Sequence, residues 1–396
     1  MDRAMPEITW IERLKKLQEE RFRPGVEPVI PPRAGDPYVR FDIPWSRLEV
    51  GWDIAARAWA RALALVGADV RLPPIPTRSD EVAREAGHLG KPCNALDIDI
   101  RVWSGAFATA QKLGRAIRAL PTKPKTIFHT MFERQDFDPA IASSLARLVG
   151  VWVPCSANRE ALEALGLKNV RHFGVPHFDE DELLRLDPPQ EAKAFYWIGS
   201  WSPHKAPDNL IRAFMRAFRP GDATLTIKRQ YVHRSMPTPE TVAAESFGTN
   251  GWTKENWSES IRIESRTLSG PDLIRLIHAP GDVYVSASRG EGFDMPAYAA
   301  KLAKRRVITT DSGGPRDFLG SEDILIPSTG KVPVHPDYTA HGWEHSSTYA
   351  DYELEKLVEA MARVRSEPPV QVLDWPRDRF RAQHIGNEIV TWMKTL

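Results

Sequence analysis

The sequence predicts an α/β protein built from two doubly wound lobes, and four observations carry that expectation. The chain has 396 residues, enough for two domains at roughly 100–200 residues each. Short apolar runs alternate with amphipathic helical segments, the pattern of a parallel sheet covered on both faces. That alternation stops at an acidic, proline-bearing stretch (177–193) and then starts again. Charge divides at the same place: residues 1–176 hold 26 basic and 21 acidic side chains, and the remaining 220 hold 27 and 31.

Taken in order, Trp10, Leu14 and Leu17 fall at i, i+4 and i+7 and predict an amphipathic helix over 8–22. An irregular, Pro-rich stretch follows to residue 37. YVRFDI (38–43) reads as a strand, and a loop with Gly51 leads into a helix over 52–67. Strands are then expected at 97–103, 125–132, 151–155 and 169–175, with helices at 105–120, 138–150 and 157–167 between them. The stretch 177–193 reads as a linker. Strands resume at 194–200, 224–232, 261–265, 282–288, 306–312 and 323–328, with helices at 209–218, 271–279 and 295–305. Residues 233–259 read as an insertion, 328–350 as a loop, and 351–366 and 377–395 as closing helices. The expected domains are an extension (1–37), an N-terminal lobe (38–177), a C-terminal lobe (178–376) and a last helix (377–396).

Composition excludes several function classes. With 53 Lys plus Arg against 52 Asp plus Glu, the net charge of +1 does not suit a protein that coats DNA. Apolar residues at 42% and charged residues at 27% exclude wholesale disorder. No run approaches 18 apolar residues, so no membrane span is expected. The opening MDRAMPEITWIERLKK has no apolar core, so no secretory signal is expected either. Cys93 and Cys155 cannot form a disulfide framework, which fits a reducing cytoplasm, and they do not suggest a metal cluster. Asp97-Ile98-Asp99 sits between Leu96 and Ile100 and reads as strand, not as a metal motif. Ser156 lacks a G-x-S-x-G elbow, and no dinucleotide fingerprint is present. The 13 Trp serve either stacking surfaces or the core.

The chemistry concentrates at two strand ends. After the strand ending at Ser288, Arg289-Gly290-Glu291-Gly292-Phe293-Asp294 turns into a helix. Glycines let backbone N–H groups approach a ligand, and a helix N-terminus favours an anion such as phosphate. Glu291 can accept hydrogen bonds from hydroxyls. Gly199-Ser200 ends a second strand, and Lys205 follows ahead of the next helix, adding a full positive charge to that helix end. Lys228, at the end of the following strand, is a candidate third element of a diphosphate clamp. Singly, these read as ordinary turns and solvated lysines; together at one sheet edge they form a candidate diphosphate site.

With those residues in view, the chain resembles glycosyltransferase family 4, retaining enzymes that use nucleotide sugars and have the GT-B fold of two facing Rossmann-like lobes. IGSWSPHKAPDNLIRAF is similar to the family's strand and lysine loop, and SASRGEGFDMPAYAAKLAKR to its S-x-x-E-G-F-G passage. In the N-terminal half, VGWDIAARAWARALALVGADVRL resembles the glycine loop and first helix, and KTIFHTMFERQDF the strand end whose His, here His129, lies beside the reacting sugar. VWVPCSANREALEALGL and VRHFGVP resemble the passage closing that lobe. The resemblance spans roughly 38–330 and implies that the last helix crosses back to the N-lobe.

It also implies a function: transfer of a sugar from a nucleotide-diphosphate donor to a glycan, a lipid or a modified nucleic-acid base by front-face displacement. No cofactor or metal is needed beyond the donor, and the setting is cytoplasmic. By resemblance, Lys205 neutralises the diphosphate, Glu291 orients donor-sugar hydroxyls, and His129 touches the sugar from the opposite lobe. Gly51, Gly199, Ser200, Lys228, Gly292, Phe293 and Asp294 complete the donor cradle. Trp52 and Trp201 would wall the sugar site. Three positions depart from the family pattern. Ala299 stands where a second Glu holds ribose hydroxyls, Ser200 where the loop has Arg, and Asp294 where E-G-F-G ends in Gly. These departures support an alternative, a catalytically impaired GT-B relative that binds nucleotide or glycan without transfer.

Overall fold

The computed structural model describes residues 38–42, 51–71, 100–104, 110–120, 125–133, 139–266, 268, 270–335, 348–368 and 375–396. The helix expected over 8–22, the rest of the 1–37 extension, Cys93 and Asp97–Asp99 lie outside them.

The N-terminal lobe runs β1 (Tyr38–Asp42), α1 (Gly51–Leu65), β2 (Asp69–Arg71), β3 (Ile100–Ser104), α2 (Ala110–Arg118), β4 (Lys125–His129), α3 (Pro139–Leu145), β5 (Gly150–Val153), α4 (Ser156–Ala164) and β6 (Val170–His172). Its six strands are all parallel, in the order β2-β1-β3-β4-β5-β6. The apolar runs of β4 and β5 are buried almost end to end, as helices on both faces of a parallel sheet require. Gly51, expected in a loop, is instead the first residue of α1.

The C-terminal lobe begins with α5 (Glu180–Leu184) and continues β7 (Ala194–Trp201), α6 (Pro207–Ala217), β8 (Thr224–Val232), α7 (Pro239–Ala244), α8 (Trp257–Ser260), β9 (Ile261–Glu264) and α9 (Gly270–Leu273). A π turn, Ile274–His278, extends α9. Then come β10 (Val283–Val285), α10 (Met295–Leu302), β11 (Arg306–Thr310), β12 (Ile324–Ile326), β13 (Gly330–Pro333), β14 (Thr348–Asp351), α11 (Leu354–Ser366) and α12 (Ala382–Met393). The second sheet, also parallel, has the order β12-β11-β10-β7-β8-β9. Counted from β7, this is the Rossmann order 3-2-1-4-5-6, whose topological switch point lies between β7 and β10.

Two stretches differ from the sequence expectation. Within 177–193, α5 forms and buries Leu183 and Glu180. Within 328–350, β13 and β14 pair antiparallel, with Gly330 opposite Asp351. Neither has the long apolar run by which a strand or helix is recognised. The last helix, α12, packs on α1: a Cβ at Gly386 would stand 2.3 Å from the Ala62 carbonyl oxygen. Trp392 on the same helix covers Gly150 and Phe173 of the first lobe. Trp59, Trp152, Trp197, Trp201 and Trp252 are each under 2% exposed, so these indoles are core. Trp201 therefore does not wall a sugar site; its Nε1 donates to Pro237 O at 2.8 Å. The Trp52 side chain lies outside what the structure describes. Among the described residues, no helix is long and apolar enough to cross a membrane.

Candidate active site

The loops after β7 and β10 flank the switch point, where open α/β sheets bind ligands. Lys205 comes from the first loop and Glu291 from the second. Lys205 Nζ donates to Glu291 Oε2 at 2.5 Å, and the Glu291 side chain is 5% exposed. Burial works to lower the Lys205 pKa, but Glu291, Glu133 and Asp294 more than offset it and raise it, so the ammonium stays charged. The two loops are bound together: Arg289 N donates to His204 O at 2.7 Å, and Ser288 Oγ to the same oxygen at 3.3 Å. Backbone bonds from Glu291 N to Ser312 O (3.2 Å) and from Gly314 N to Glu291 O (3.3 Å) hold the carboxylate's main chain against the loop after β11.

Both helices leave these loops through a non-glycine residue in the left-handed region, Ala206 at φ 43° before α6 and Asp294 at φ 65° before α10. Glycine or asparagine takes that region most readily. Asp294 is held there by a cap: its Oδ1 accepts from Ala297 N at 3.2 Å and from Tyr284 OH at 3.3 Å. Burial, then the neighbouring Glu291 charge, pushes its carboxyl up to about 7.

The remaining candidates divide. Gly292 lies against Met131, where a Cβ would be 3.0 Å from that side chain. Gly199 makes room for an indole, since a Cβ there would stand 2.5 Å from the Trp197 ring. Ser200 O accepts from Ser202 Oγ at 3.3 Å, and no arginine occupies this loop. Phe293 packs its ring against Phe318, Tyr298 and Phe380, at 5.2, 5.6 and 6.0 Å. Lys228 is buried in β8, its Nζ donating to Arg229 O at 3.0 Å; burial lowers its pKa to about 8 against the pull of Glu264. Gly51 opens α1. His129 ends β4, 1% exposed, between Trp59 (4.3 Å) and Trp152 (5.8 Å). Burial drops its pKa to about 3, so the imidazole is neutral. The structure thus brings Lys205, Glu291 and Asp294 together, and buries His129 in an aromatic layer with Trp59 and Trp152. Ala299, on α10, is 2% exposed.

Several residues at this site had no pattern to announce them. Glu133 reaches from the N-lobe to the C-lobe's His204, with 3.3 Å between Oε2 and Nε2. Burial, then Lys205, lowers the His204 pKa to about 3, so this is a hydrogen bond from a neutral ring and not an ion pair. The Glu133 backbone is close as well: a Cβ on Gly290 would stand 1.8 Å from its carbonyl oxygen. Asn158 clamps the same segment, accepting from Phe132 N at 2.9 Å and donating to Phe132 O at 3.1 Å. Across the lobes, the Asp317 carboxylate accepts from Ser156 N (2.7 Å) and from Ser156 Oγ, capping α4 from the other domain. The only signal in the sequence was proximity, Glu133 lying four residues beyond His129 and His204 beside Lys205.

Between the lobes lies a cavity of about 300 Å³, lined on one side by Phe132, Glu133 and the start of α4, and on the other by the Arg289–Glu291 turn and the loop after β11. A larger one, about 490 Å³, lies by Leu184, Lys301, Lys304 and Trp375–Arg379. It sits at the C-terminal end of α10, away from the strand ends where the charged groups converge.

No protein-family model and no curated protein matches the chain. Solved structures do resemble it. Alr3699/HepE of Anabaena, solved in complex with UDP-glucose, is 13% identical with a TM-score of 0.55, over 91% of this chain and 99% of that one. The UDP-forming α,α-trehalose-phosphate synthase of Burkholderia xenovorans is 11% identical with a TM-score of 0.52, over 74% and 72%. TarM of S. aureus is 12% identical with a TM-score of 0.47; 74% of this chain is covered, and it spans about half (51%) of TarM's length. HepE and the synthase share a two-lobed α/β architecture with this chain, and its fold is accordingly the GT-B fold expected from the sequence.

Proposed function

We propose that this protein is a glycosyltransferase that moves a sugar from a nucleotide-diphosphate donor to an acceptor. The observation that carries the reading is the Lys205–Glu291 pair, set at the switch point of a GT-B C-lobe, with Glu291 lining the cavity between the lobes. The lysine offers a cation to a leaving diphosphate, and the carboxylate offers acceptors to sugar hydroxyls. UDP or UDP-glucose is the donor class to try first, because HepE was solved with both.

The chemistry follows from placement. A cation fixed beside the diphosphate stabilises the charge that develops as the sugar's anomeric C–O bond breaks. Two lobes hold donor and acceptor in one geometry and keep water out. In the front-face, retaining mechanism the departing phosphate oxygen takes the acceptor's proton on the face where the acceptor enters, so the enzyme supplies no nucleophile. His129, buried and neutral at the end of β4, brings no charge to the reaction, and a contact with the sugar is the role expected of it. The charge offset comes from Lys205, so turnover is expected to persist in chelator, on a soluble, cytoplasmic enzyme with a glycan, lipid or modified base as acceptor.

A thermal-shift panel of nucleotides and nucleotide sugars, followed by donor turnover, tests this. The wild type is expected to be stabilised by a uridine ligand. Lys205→Ala and Glu291→Ala are each expected to lose at least a hundredfold in turnover while keeping the far-UV spectrum of the parent. Turnover like that of the wild type in either variant refutes the reading. Ala299 favours a second reading, binding without transfer. Tight donor binding with no turnover across acceptor panels would select it.

A further inference from the structure

Helix α4 (Ser156–Ala164) borders the cavity from the N-lobe, and its own lobe leaves its N-terminus unfinished. The first four N–H groups of a helix have no partner within it, and an oxygen at the N-cap or an acid in the first turn usually supplies one. Here the N-cap is Cys155, whose thiol is a weak acceptor and makes no cap hydrogen bond, and the first turn holds no acidic residue. Arg159 adds a positive charge to an end that is already positive. The missing oxygens come from the other lobe: Asp317 Oδ2 accepts from Ser156 N at 2.7 Å, and Oδ1 accepts from Ser156 Oγ.

Asp317 is itself firmly placed. It closes a short 3-10 turn, Gly314–Asp317, that follows β11. That turn is pressed against the loop carrying Glu291: Gly314 N donates to Glu291 O at 3.3 Å, and a Cβ on Gly314 would stand 2.4 Å from Phe293 Cα. On the N-lobe side, Asn158 in the first turn of α4 holds both the N–H and the C=O of Phe132. The next residue, Glu133, reaches His204 beside Lys205. The contacts form a ring that crosses the cleft twice, at Asp317–Ser156 and at Glu133–His204, and closes through the Lys205–Glu291 pair.

We propose that Asp317 is a positioning residue that latches the two lobes. Helix α4 gains its cap only when the C-lobe docks, so closure of the cleft and completion of its α4 wall are one event. The carboxylate acts on the Lys205 loop through α4, Asn158 and Glu133, without touching that loop from its own side of the ring. A cap made by a charged acceptor is worth about a tenfold shift in such an open–closed equilibrium. The latch does not depend on the glycosyltransferase reading; only its consequence for transfer rests on that reading.

Solution scattering and hydrogen exchange of the full chain distinguish a latch from a cap that merely stabilises one helix. In Asp317→Ala the radius of gyration is expected to grow, the amides of 156–158 to exchange about tenfold faster, and transfer to fall about tenfold. Asp317→Asn, which keeps an oxygen and loses the charge, is expected to lie between, and it replaces the alanine variant if that one does not fold. Cys155→Ser separates the two roles, because a serine hydroxyl at the N-cap accepts from within the lobe. Added to Asp317→Ala, it is expected to restore slow exchange at 156–158 while the lobes stay apart and transfer stays low. Wild-type dimensions in the Asp317 variants, or a return of compactness and transfer on adding Cys155→Ser, overturns the proposal. UDP binding by the wild type, titrated in the same samples, bears on the donor reading alone: its absence refutes that reading and leaves the scattering test of the latch in force.

Discussion

Replacing Asp294 with asparagine isolates the energetic consequence of the residue that stands where the resemblance has glycine. The backbone there is left-handed, at φ 65°, a conformation asparagine tolerates, and the amide oxygen can still cap Ala297 N. What the substitution removes is the charge. The folded carboxyl titrates near 7 instead of 3.8, because burial and then Glu291 disfavour its ionised form. The folded state therefore binds this proton more tightly than the unfolded chain does. Its stability contribution is intact below about pH 4, declines as pH rises, and is fully lost just above pH 7. At 1.36 kcal/mol per pH unit the loss approaches about 4 kcal/mol, and with local relaxation about 2–4 kcal/mol is expected. Urea unfolding followed by tryptophan fluorescence at pH 4.5, 6, 7 and 8.5 measures it, Trp197, Trp201 and Trp252 being buried reporters in the same lobe. Asp294→Asn should lie within about 1 kcal/mol of the wild type at pH 4.5, exceed it increasingly up to about pH 7, and level off by pH 8.5. The donor affinity of the wild type should also fall through pH 7, as negative charge appears beside Lys205, while that of the variant stays level. A stability difference that does not change with pH refutes the reasoning.

Two other substitutions probe the architecture. Gly290→Ala puts a methyl group 1.8 Å from the Glu133 carbonyl oxygen, so the lobes must part; nucleotide binding should survive, transfer should fall by at least tenfold, and the radius of gyration in solution scattering should grow. Unchanged scattering and transfer would contradict the closeness of the two lobes. Lys301 is wholly enclosed and pairs with Glu322 at 2.5 Å and Asp323 at 2.6 Å. Lys301→Ala strands two buried carboxylates and should cost about 3–5 kcal/mol, read from the urea midpoint; a loss under about 1 kcal/mol would show the pair to be better solvated than its burial indicates.

Much of the fold was legible because a parallel sheet writes itself locally. GVWV (150–153) and RVITT (306–310) are buried at every residue, and an apolar run between turns is the direct mark of such a strand. The short β13–β14 pair left no such mark: GKVP is mostly exposed, and nothing in its residues separates a surface hairpin from a loop. The segment 177–193 misled for a different reason. Its acids and prolines suggest a linker, but Glu180 is buried with Arg381 Nε 3.3 Å from its carboxylate, a partner two hundred residues away that no local pattern announces.

The site was legible only where one residue type on one loop carries the chemistry. A lysine ahead of a helix and a glutamate in a glycine turn are recognisable singly, and the switch point explains why residues 86 apart meet. Side-chain direction was not recognisable. Phe293 lies in the middle of the expected donor loop, yet the left-handed turn at Asp294 delivers its ring to the Phe318 and Phe380 cluster. Net charge was the least transferable reading. It sums over a whole lobe, whereas a ligand in a cleft feels mainly the charges within a Debye length, about 8 Å at physiological salt. The first lobe carries an excess of basic residues along its length, but the wall it turns toward the cavity is set by Glu133 and Glu160. A sum over half a chain therefore says nothing of the few side chains that the folding of β4 and α4 brings to one place.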